Sequence, residues 1–328
     1  MENQVQRILK IAQNKDIAAQ LEEKIGKKPS FTALQLIEPN RRIDVAEALS
    51  FSGNAKLVGE LGGKFVVFIS DIAATMHKVS DPEKLKLFVN YTITTLKAAG
   101  CDGPHVSYFI ASEHTPDDYD FFHLMMEFSM KVSIDDIQKT LPPLAKGQCF
   151  QASDILVPLM LCTESVTKGA DIIFSSHELF PQFSAINQVK KEGMETPVLI
   201  QLPFIPKLRG PKAKSPKLDL RDNFYFEDNE QDIDKKCQGA FCTDEINDNP
   251  VFSYITGVVI PFFGELDFNG KKYTTTEEVS ADFAAFNKKD LKATFANYIK
   301  QAIAPIKPAL ENPEFADCRA KVVKMTSK

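Results

Sequence analysis

The stretch "KFVVFIS" (Lys64–Ser70) decides the fold class of this 328-residue chain. Its central residues, Phe65–Ile69, are all apolar and do not alternate with polar ones. Such an unbroken run is typical of a strand that is buried on both faces of a parallel sheet. Four further stretches have the same character: "FTALQLI" (31–37), "HVSYFIA" (105–111), "ADIIFS" (170–175) and "PVLIQLPFI" (197–205).

Amphipathic stretches of helical length separate these runs. Three of them begin with a hydroxyl residue placed three positions before an acid, as in "SDPE" (80–83), "TPDD" (115–118) and Ser133–Asp136, which is a pattern that caps helices. Strands that alternate with helices predict an α/β domain with a Rossmann-like, doubly wound parallel sheet. Such sheets bind ligands beyond the carboxyl ends of their strands. We expect this domain to span residues 1–228.

The remainder of the chain, residues 229–328, has a different pattern. It predicts helices joined by short loops, so we expect a mostly helical second domain. The exception is "FGELDFNGKKYTT" (263–275), where Asn269-Gly270 predicts the tight turn of a β-hairpin.

Composition places the chain among soluble globular proteins, with 44% hydrophobic and 25% charged residues. It has no apolar run of about 18 residues that would cross a membrane, and its N-terminus is charged, so we expect a cytoplasmic protein without a membrane partner. The net charge of −5 argues against a surface coated in positive charge, although it is compatible with a local basic groove. Six scattered cysteines predict no metal site.

Standard catalytic patterns are absent from the sequence. We find no glycine-rich phosphate fingerprint, nucleophile elbow or metal-binding pair. One basic segment stands out around "GPKAKSPKLDLRDN" (210–223). Its candidates for contact with a phosphate backbone are Lys207, Arg209, Lys212, Lys214 and Lys217, and the alternative is a solvated loop.

The order of these parts resembles a class I aminoacyl-tRNA synthetase, with a basic loop between an α/β domain and a helical one. Three stretches make the resemblance specific to tyrosyl-tRNA synthetases of the eukaryotic and archaeal type. "IEPNRRIDVAEAL" (37–49) resembles the family's first signature region. "LRDNFYFEDNEQDIDKKCQGAFC" (220–242) resembles the segment after its lysine loop, and residues 249–306 resemble its anticodon-binding domain.

The resemblance implies that both ATP-binding signatures are degenerate. The family's His-Ile-Gly-His type motif falls on Asp44-Val45-Ala46-Glu47, where two carboxylates would repel ATP phosphates. The Lys-Met-Ser-Lys-Ser loop falls on Lys214-Ser215-Pro216-Lys217-Leu218. Both lysines remain, but Pro216 removes a backbone donor and stiffens a loop that must close on ATP.

The amino-acid pocket that the resemblance implies is altered as well. The tyrosine expected in the first strand is Leu34, and the family's tyrosine, glutamine and aspartate on one helix become Val157, Leu161 and Glu164. A downstream Gln-x-Gly-x-Asp-Gln pattern is replaced by Phe174-Ser175-Ser176-His177-Glu178-Leu179. Selection of tyrosine over phenylalanine requires buried polar partners for the phenol hydroxyl, a rule for which tyrosyl-tRNA synthetases are themselves the standard example.

We therefore expect a catalytically degenerate tyrosyl-tRNA synthetase-like protein that acts as a tRNA-binding or dimer-partner subunit, with no cofactor. Its partner would be a second copy or an active synthetase, with tRNA as a further partner, and Lys292 is a further RNA candidate. One alternative is an active tyrosine–tRNA ligase that uses ATP and Mg²⁺; another is a protein-interaction scaffold without tRNA binding.

The apolar stretch "DYDFFHLMMEFSM" (118–130) contains our candidate dimer contacts, Phe122 and Met126. A helix that is apolar on nearly every side must be covered all round. We expect this stretch to be a helix buried in the protein core. The alternative is that a partner subunit covers its apolar side chains.

Overall fold

The structure, a computed structural model, describes most of the chain. The described ranges are 4–26, 28–77, 79, 81–114, 118–141, 150–177, 179–183, 195–210 and 220–326. The chain forms two compact units. The first contains Met1–Asn40, Leu57–Val89 and Gly103–Leu202, and the second contains Arg41–Lys56, Asn90–Asp102 and Pro203–Lys328. The domain boundary at residue 228 stays a prediction.

A five-stranded parallel sheet forms the centre of the first unit. Its strands are β1 Thr32–Ile37, β2 Lys64–Ile69, β3 Val106–Ile110, β4 Ile172–Ser175 and β5 Val198–Gln201. Each of the five apolar runs contains one of these strands, so the predicted fold class is confirmed. The strands form because continuous apolar runs can bury side chains on both faces of the sheet.

The strand order is β3-β2-β1-β4-β5. The chain therefore builds outward from β1 in one direction and then returns to the other side of β1 for β4 and β5. This reversal is what makes the sheet doubly wound, and the region next to β1 and β4 is where such folds bind ligands.

Helices connect the strands. In chain order they are α1 Gln4–Ile11, α2 Ala18–Ile25, α3 Val45–Glu60, α4 Asp71–His77, α5 Pro82–Ala98, α6 Ala111–His114, α7 Tyr119–Lys131, α8 Ile134–Thr140, α9 Ala152–Thr167 and α10 Phe180–Phe183. Among the described helices, none has the length and apolar character that a membrane crossing requires.

Two of the three predicted helix starts differ in detail. Ser133 caps α8 as predicted, since its hydroxyl accepts from the N–H of Asp136. In the other two, an aspartate is the capping residue: Asp81 accepts from the N–H of Glu83 before α5, and Asp118 accepts from the N–H of Phe121 before α7. The predicted caps Ser80 and Thr115 lie outside the described residues. Carboxylates cap as well as hydroxyls do, so the spacing alone does not select the capping residue.

The C-terminal part of the second unit is mostly helical. Its elements are α11 Glu230–Gly239, α12 Pro250–Tyr254, a π-helical turn Ile255–Val259, α13 Ile260–Phe263, β6 Leu266–Phe268, β7 Lys271–Tyr273, α14 Thr276–Asp282, α15 Lys288–Ile303, α16 Lys307–Leu310 and α17 Pro313–Thr326. The predicted hairpin is confirmed. Asn269 and Gly270 have φ values of 54° and 79°, as a tight hairpin turn requires.

A nearly buried ion pair connects several parts of this unit. The ammonium of Lys236 in α11 lies 2.8 Å and 2.6 Å from the two carboxylate oxygens of Asp228 and donates to the carbonyl of Asn223. The N–H of Tyr225 donates to the same carboxylate, and Lys307 of α16 donates to the Asp228 carbonyl. Asp228 therefore holds the turn 223–228 against two helices.

We expect Asp228→Ala to destabilise the protein by about 3 kcal/mol or more, because it leaves the Lys236 ammonium buried without its partner. Asp317→Ala is the matched control, since the Asp317–Lys321 pair is exposed and such pairs are worth less than about 1 kcal/mol. Urea unfolding of both variants gives the two free energies. Equal losses would contradict the role given to Asp228.

Candidate functional site

Three positions of the predicted amino-acid pocket lie in one buried apolar cluster of the first unit. Leu34 is in β1, and Val157 and Leu161 are one turn apart on α9. All three are almost fully buried. The other members of the cluster include Phe68, Phe128, Ile173, Phe183 and Leu199. These positions therefore form part of the core and present hydrocarbon to their neighbours.

Phe174 lies on the opposite face of the sheet. In the register of β1 and β4, Leu34 pairs with Ile173, whereas Phe174 pairs with Gln35. Since successive strand residues point to opposite faces, Ile173 is the β4 side chain on the side of Leu34. The Phe174 ring lies 6.3 Å from that of Phe65.

Of the other two candidate pocket positions in this pattern, Glu178 and Leu179, the structure describes only Leu179. Leu179 is partly buried against the apolar cluster. Glu178 lies outside the described residues.

Glu164 of α9 is the polar exception at these positions. Its side chain is buried, and neither carboxyl oxygen has a hydrogen-bond partner among the described residues. Burial is the main cause that raises the pKa of this carboxyl from its ordinary 4.5 to about 8; the nearby Asp71 carboxylate raises it further, and the Lys168 ammonium opposes them. Glu164 is therefore mostly a neutral acid at pH 7.

The groups around Glu164 have other partners. Asp71 is buried, and one of its oxygens accepts from the N–H of Ser112 at 2.9 Å. The Lys168 ammonium lies 4.0 Å from the centre of the Phe109 ring and 4.0 Å from an Asp118 oxygen. In its neutral form Glu164 can offer a ligand one O–H donor and a carbonyl oxygen as acceptor, and burial disfavours the negative charge that would hold a cation.

The positions of the predicted first signature begin helix α3. Asp44 caps the helix, because its Oδ1 accepts from the N–H of Glu47 at 2.9 Å. Glu47 pairs with Arg41 at 3.1 Å, and Arg41 also lies 3.9 Å from Asp44. Val45 and Ala46 between them are buried. The two carboxylates therefore stabilise the start of the helix and are partly neutralised by Arg41.

Sequence reasoning missed the neighbouring Arg42. Its side chain is buried, its guanidinium carbon lies 3.8 Å from the centre of the Tyr225 ring, and it lies 3.5 Å from a Glu227 oxygen. The N–H of Val45 donates to the carbonyl of Phe224.

The Asp-x-x-Glu spacing of residues 44–47 is a helix-start signal, which could have revealed the capping role of Asp44 from the sequence.

The basic candidates differ in their surroundings. Lys207 is exposed. Arg209 pairs with Asp222 at 2.7 Å, and Lys292 donates to the carbonyl of Gln238 at 3.1 Å. The other positions of the basic segment and its predicted lysine loop lie outside the described residues: Lys212, Lys214, Ser215, Pro216, Lys217 and Leu218.

One face of helix α7 is both apolar and exposed. Phe121 and Phe128 are buried, but Phe122 is 40% and Met126 63% exposed. Tyr119 and Met130, at 78% and 79%, lie on the same face, given their helical spacing. The expectation of a buried core helix is therefore wrong for this face, which we call the α7 face.

In the described ranges, no group of three or more His, Cys, Asp or Glu side chains is arranged to hold a metal ion. All the described cysteines except Cys242 are buried.

Known proteins similar to the chain in sequence are tyrosine–tRNA ligases. The cytoplasmic tyrosine–tRNA ligase 1 of Arabidopsis thaliana is 23% identical over 323 residues, which cover 92% of this chain and 82% of the relative. The tyrosine–tRNA ligase of Methanosarcina barkeri is 23% identical over 306 residues, which cover 89% and 94%. No family model matches the chain.

Solved structures give the same result. The tyrosyl-tRNA synthetase of Aeropyrum pernix has a TM-score of 0.82 at 22% identity, covering 98% of this chain and 99% of that one. The Archaeoglobus fulgidus enzyme, complexed with L-tyrosine, has a TM-score of 0.82 at 19% identity, covering 94% and 98%. The homologues in sequence and structure are thus tyrosyl-tRNA synthetases of the archaeal and eukaryotic type, as the resemblance predicted, and the chain has their fold.

Glu164→Gln tests whether the buried acid is neutral. Wild-type Glu164 keeps its proton in the folded state up to about pH 8 but loses it near pH 4.5 when unfolded, so its contribution to stability falls as the pH rises between these values and levels off above them. We therefore compare the free energy of unfolding of the variant minus that of wild type at two pH values. We expect this difference to increase by at least about 1.4 kcal/mol between about pH 5.5 and about pH 8.5, because wild type loses stability over this range.

Urea unfolding at both pH values measures this difference, and Glu83→Gln, at an exposed glutamate in the first turn of α5, is the control. Parallel stability curves for wild type and Glu164→Gln would show that the carboxyl is already ionised in the folded protein.

Proposed function

We propose that this tyrosyl-tRNA synthetase-like chain has lost the activation of tyrosine and serves tRNA aminoacylation as a dimer-partner and tRNA-binding subunit. The packing of Leu34, Val157 and Leu161 into one apolar cluster is the observation that carries the proposal. The name of the Arabidopsis relative supports a cytoplasmic location.

The apolar cluster is a poor site for free tyrosine. A bound amino acid needs partners for an ammonium, a carboxylate and a phenol, and polar groups that are buried without partners are costly. Hydrocarbon at Leu34, Val157 and Leu161 offers none, and burial disfavours the charged form of Glu164 that would balance an ammonium. The proposal therefore differs from what the Archaeoglobus fulgidus structure, complexed with L-tyrosine, would suggest for this chain.

The residues at the first signature also argue against binding of ATP. Catalysis of adenylation needs donors directed at phosphates as negative charge shifts toward the leaving group. Asp44 and Glu47 carry negative charge, and Arg41 is already paired with them. ATP and Mg²⁺ have no role in the proposed function.

The α7 face supports a role in assembly. An exposed stripe of Tyr119, Phe122, Met126 and Met130 is larger than the scattered apolar residues of ordinary surfaces, and such stripes mark interaction sites. A second copy of the chain or an active synthetase would cover it. The exposed Lys207 is a candidate for contact with tRNA phosphates, together with the basic positions that follow it in the sequence.

An active tyrosine–tRNA ligase is the second candidate, because the relatives that cover most of the chain carry that name. The two candidates predict opposite results for the exchange of pyrophosphate into ATP, which requires formation of the adenylate.

We expect the purified chain to give no tyrosine-dependent ATP–pyrophosphate exchange above the background without protein, with or without tRNA. The physical reason is the missing partner for the tyrosine ammonium in the apolar cluster. The Methanosarcina barkeri ligase in the same assay is the positive control. Clear exchange by a folded preparation would replace the proposal with the active-ligase candidate.

We expect Met126→Glu and Phe122→Glu to convert a dimer into monomers in sedimentation velocity, because each places a charge in an interface that excludes water. Met325→Glu is the matched control, since Met325 of α17 is also an exposed methionine but lies outside the α7 face. A monomeric wild type, or a Met126→Glu variant that stays dimeric, would exclude the α7 face as the dimer contact.

A further inference from the structure

A cluster of ionisable side chains joins the end of α9 to the start of α7. Glu164, in the last turn of α9, is almost fully buried, and neither of its carboxyl oxygens has a hydrogen-bond partner among the described residues. Lys168 is the C-cap residue of the same helix, and its backbone N–H donates to the carbonyl of Glu164 at 3.1 Å. Asp118 caps α7 through the N–H of Phe121. The two helices therefore meet at Glu164, Lys168 and Asp118.

The ammonium of Lys168 is the group that connects the two helices. It lies 4.0 Å from an Asp118 oxygen and 4.0 Å from the centre of the Phe109 ring at the end of β3. The side chains of Lys168 and Asp118 are 21% and 29% exposed, so solvent screens their attraction only in part. Residues four apart lie on one face of a helix, so a change of rotamer brings the same ammonium to Glu164. Its position therefore depends on which of two carboxyl groups carries a charge.

Glu164 attracts this ammonium only weakly while it holds its proton. A buried carboxylate without hydrogen bonds is costly, and the buried Asp71 carboxylate of α4 adds to the cost. Burial, and then Asp71, accordingly raise the pKa of Glu164 to about 8, although the Lys168 ammonium opposes them. Above this pH, Glu164 is a carboxylate that is more buried than Asp118. A charge in a less polar environment gains more from an ammonium than an exposed charge does.

Other charged groups on the helices packed against α9 are exposed or paired elsewhere. These helices are α4, α7, α8 and α10. The charges that act on Glu164 are those of Asp71 and Lys168, and α10 has no charged residue. On α7 and α8, the exposed groups are Asp120, His123 and Asp135, and the pairs are Glu127 with Lys131 and Asp136 with Lys139. His114 stacks on Phe109 at 4.5 Å and is a further titratable group near Lys168.

We infer that Glu164 and Lys168 form a pH-sensitive switch at the start of α7. When Glu164 gives its proton to solvent, the Lys168 ammonium moves from Asp118 to the Glu164 carboxylate, and the first turn of α7 loses its ion pair with the end of α9. Tyr119 and Phe122 lie in this turn and belong to the α7 face. The consequence for assembly, a weaker dimer at alkaline pH, rests on the proposed function.

Hydrogen exchange of the full chain, with mass spectrometry of the peptide that covers the first turn of α7, tests the switch without relying on a dimer. Wild type and Glu164→Gln are compared one pH unit below and one above the pKa of Glu164, at about pH 7 and about pH 9. Intrinsic exchange rates cancel within each pair.

At the lower pH we expect equal exchange rates, because a glutamine and a protonated glutamate both leave Lys168 with Asp118. At the higher pH we expect the first turn of α7 to exchange up to about fivefold faster in wild type than in Glu164→Gln, the factor that corresponds to the loss of one partly exposed ion pair.

Two further variants and one reference peptide separate the switch from other causes. Lys168→Met keeps the hydrocarbon stem and removes the ammonium, so its α7 start should exchange faster than that of Glu164→Gln at both pH values. His114→Gln should keep the pH dependence of wild type, because the ammonium moves between Glu164 and Asp118. The first turn of α8, capped by Ser133, is another helix start at the protein surface and should not change.

Equal exchange of wild type and Glu164→Gln at the higher pH, equal changes at the starts of α7 and α8, or loss of the pH dependence in His114→Gln would overturn the inference. Sedimentation velocity at both pH values separates this result from the proposed function. Faster exchange of α7 in a chain that is monomeric at both pH values would support the switch and exclude the α7 face as the dimer contact. Unchanged exchange in a chain that is dimeric at both would overturn the switch and leave the proposed function standing.

Discussion

The nearly buried carboxylate of Asp228 is the interaction on which the second unit depends. Its oxygens accept from Lys236 and from the N–H of Tyr225, and its carbonyl accepts from Lys307. A buried charge is stable only when its partners are all present. The turn 223–228 is thus fixed, and it presents the Phe224 carbonyl to Val45 and the Tyr225 ring to Arg42. Residues at the predicted first signature are held by this same turn.

Glu164 is the opposite situation, a buried carboxyl whose oxygens have no partner among the described residues. It avoids the cost of a buried charge by keeping its proton, since burial raises its pKa to about 8. A neutral carboxyl can still exchange hydrogen bonds with a phenol. The ammonium of the amino acid, for which Leu34, Val157 and Leu161 provide no partner, is therefore the group that the apolar cluster is least able to bind.

The sequence was sufficient for the sheet, the hairpin and the fold, because their signals are local. Continuous apolar runs identify β1–β5, and Asn269-Gly270 requires a turn that few other pairs adopt. The environments of side chains were less predictable. Successive residues of a strand point to opposite faces of a sheet, so an alignment that is wrong by one residue assigns the wrong side chain to a face. Phe174 was the predicted pocket position, but Ile173 is the β4 residue on the side of Leu34. Apolar composition predicted the α7 helix but could not separate its core face from the exposed face of Phe122 and Met126. No local pattern links Asp228 to Lys307.

Under the proposed loss of tyrosine activation, the residues at the predicted first signature still contribute to the fold. Catalytic groups at a helix start are often suboptimal for stability, and their replacement commonly stabilises a protein. Asp44 caps α3, and Glu47 three residues later pairs with Arg41, so both carboxylates stabilise the start of the helix. The same carboxylates would repel ATP phosphates. At the start of α3, negative side chains stabilise the helix, whereas phosphate binding requires positive groups or hydrogen-bond donors. Asp44 and Glu47 stabilise the helix and disfavour phosphate.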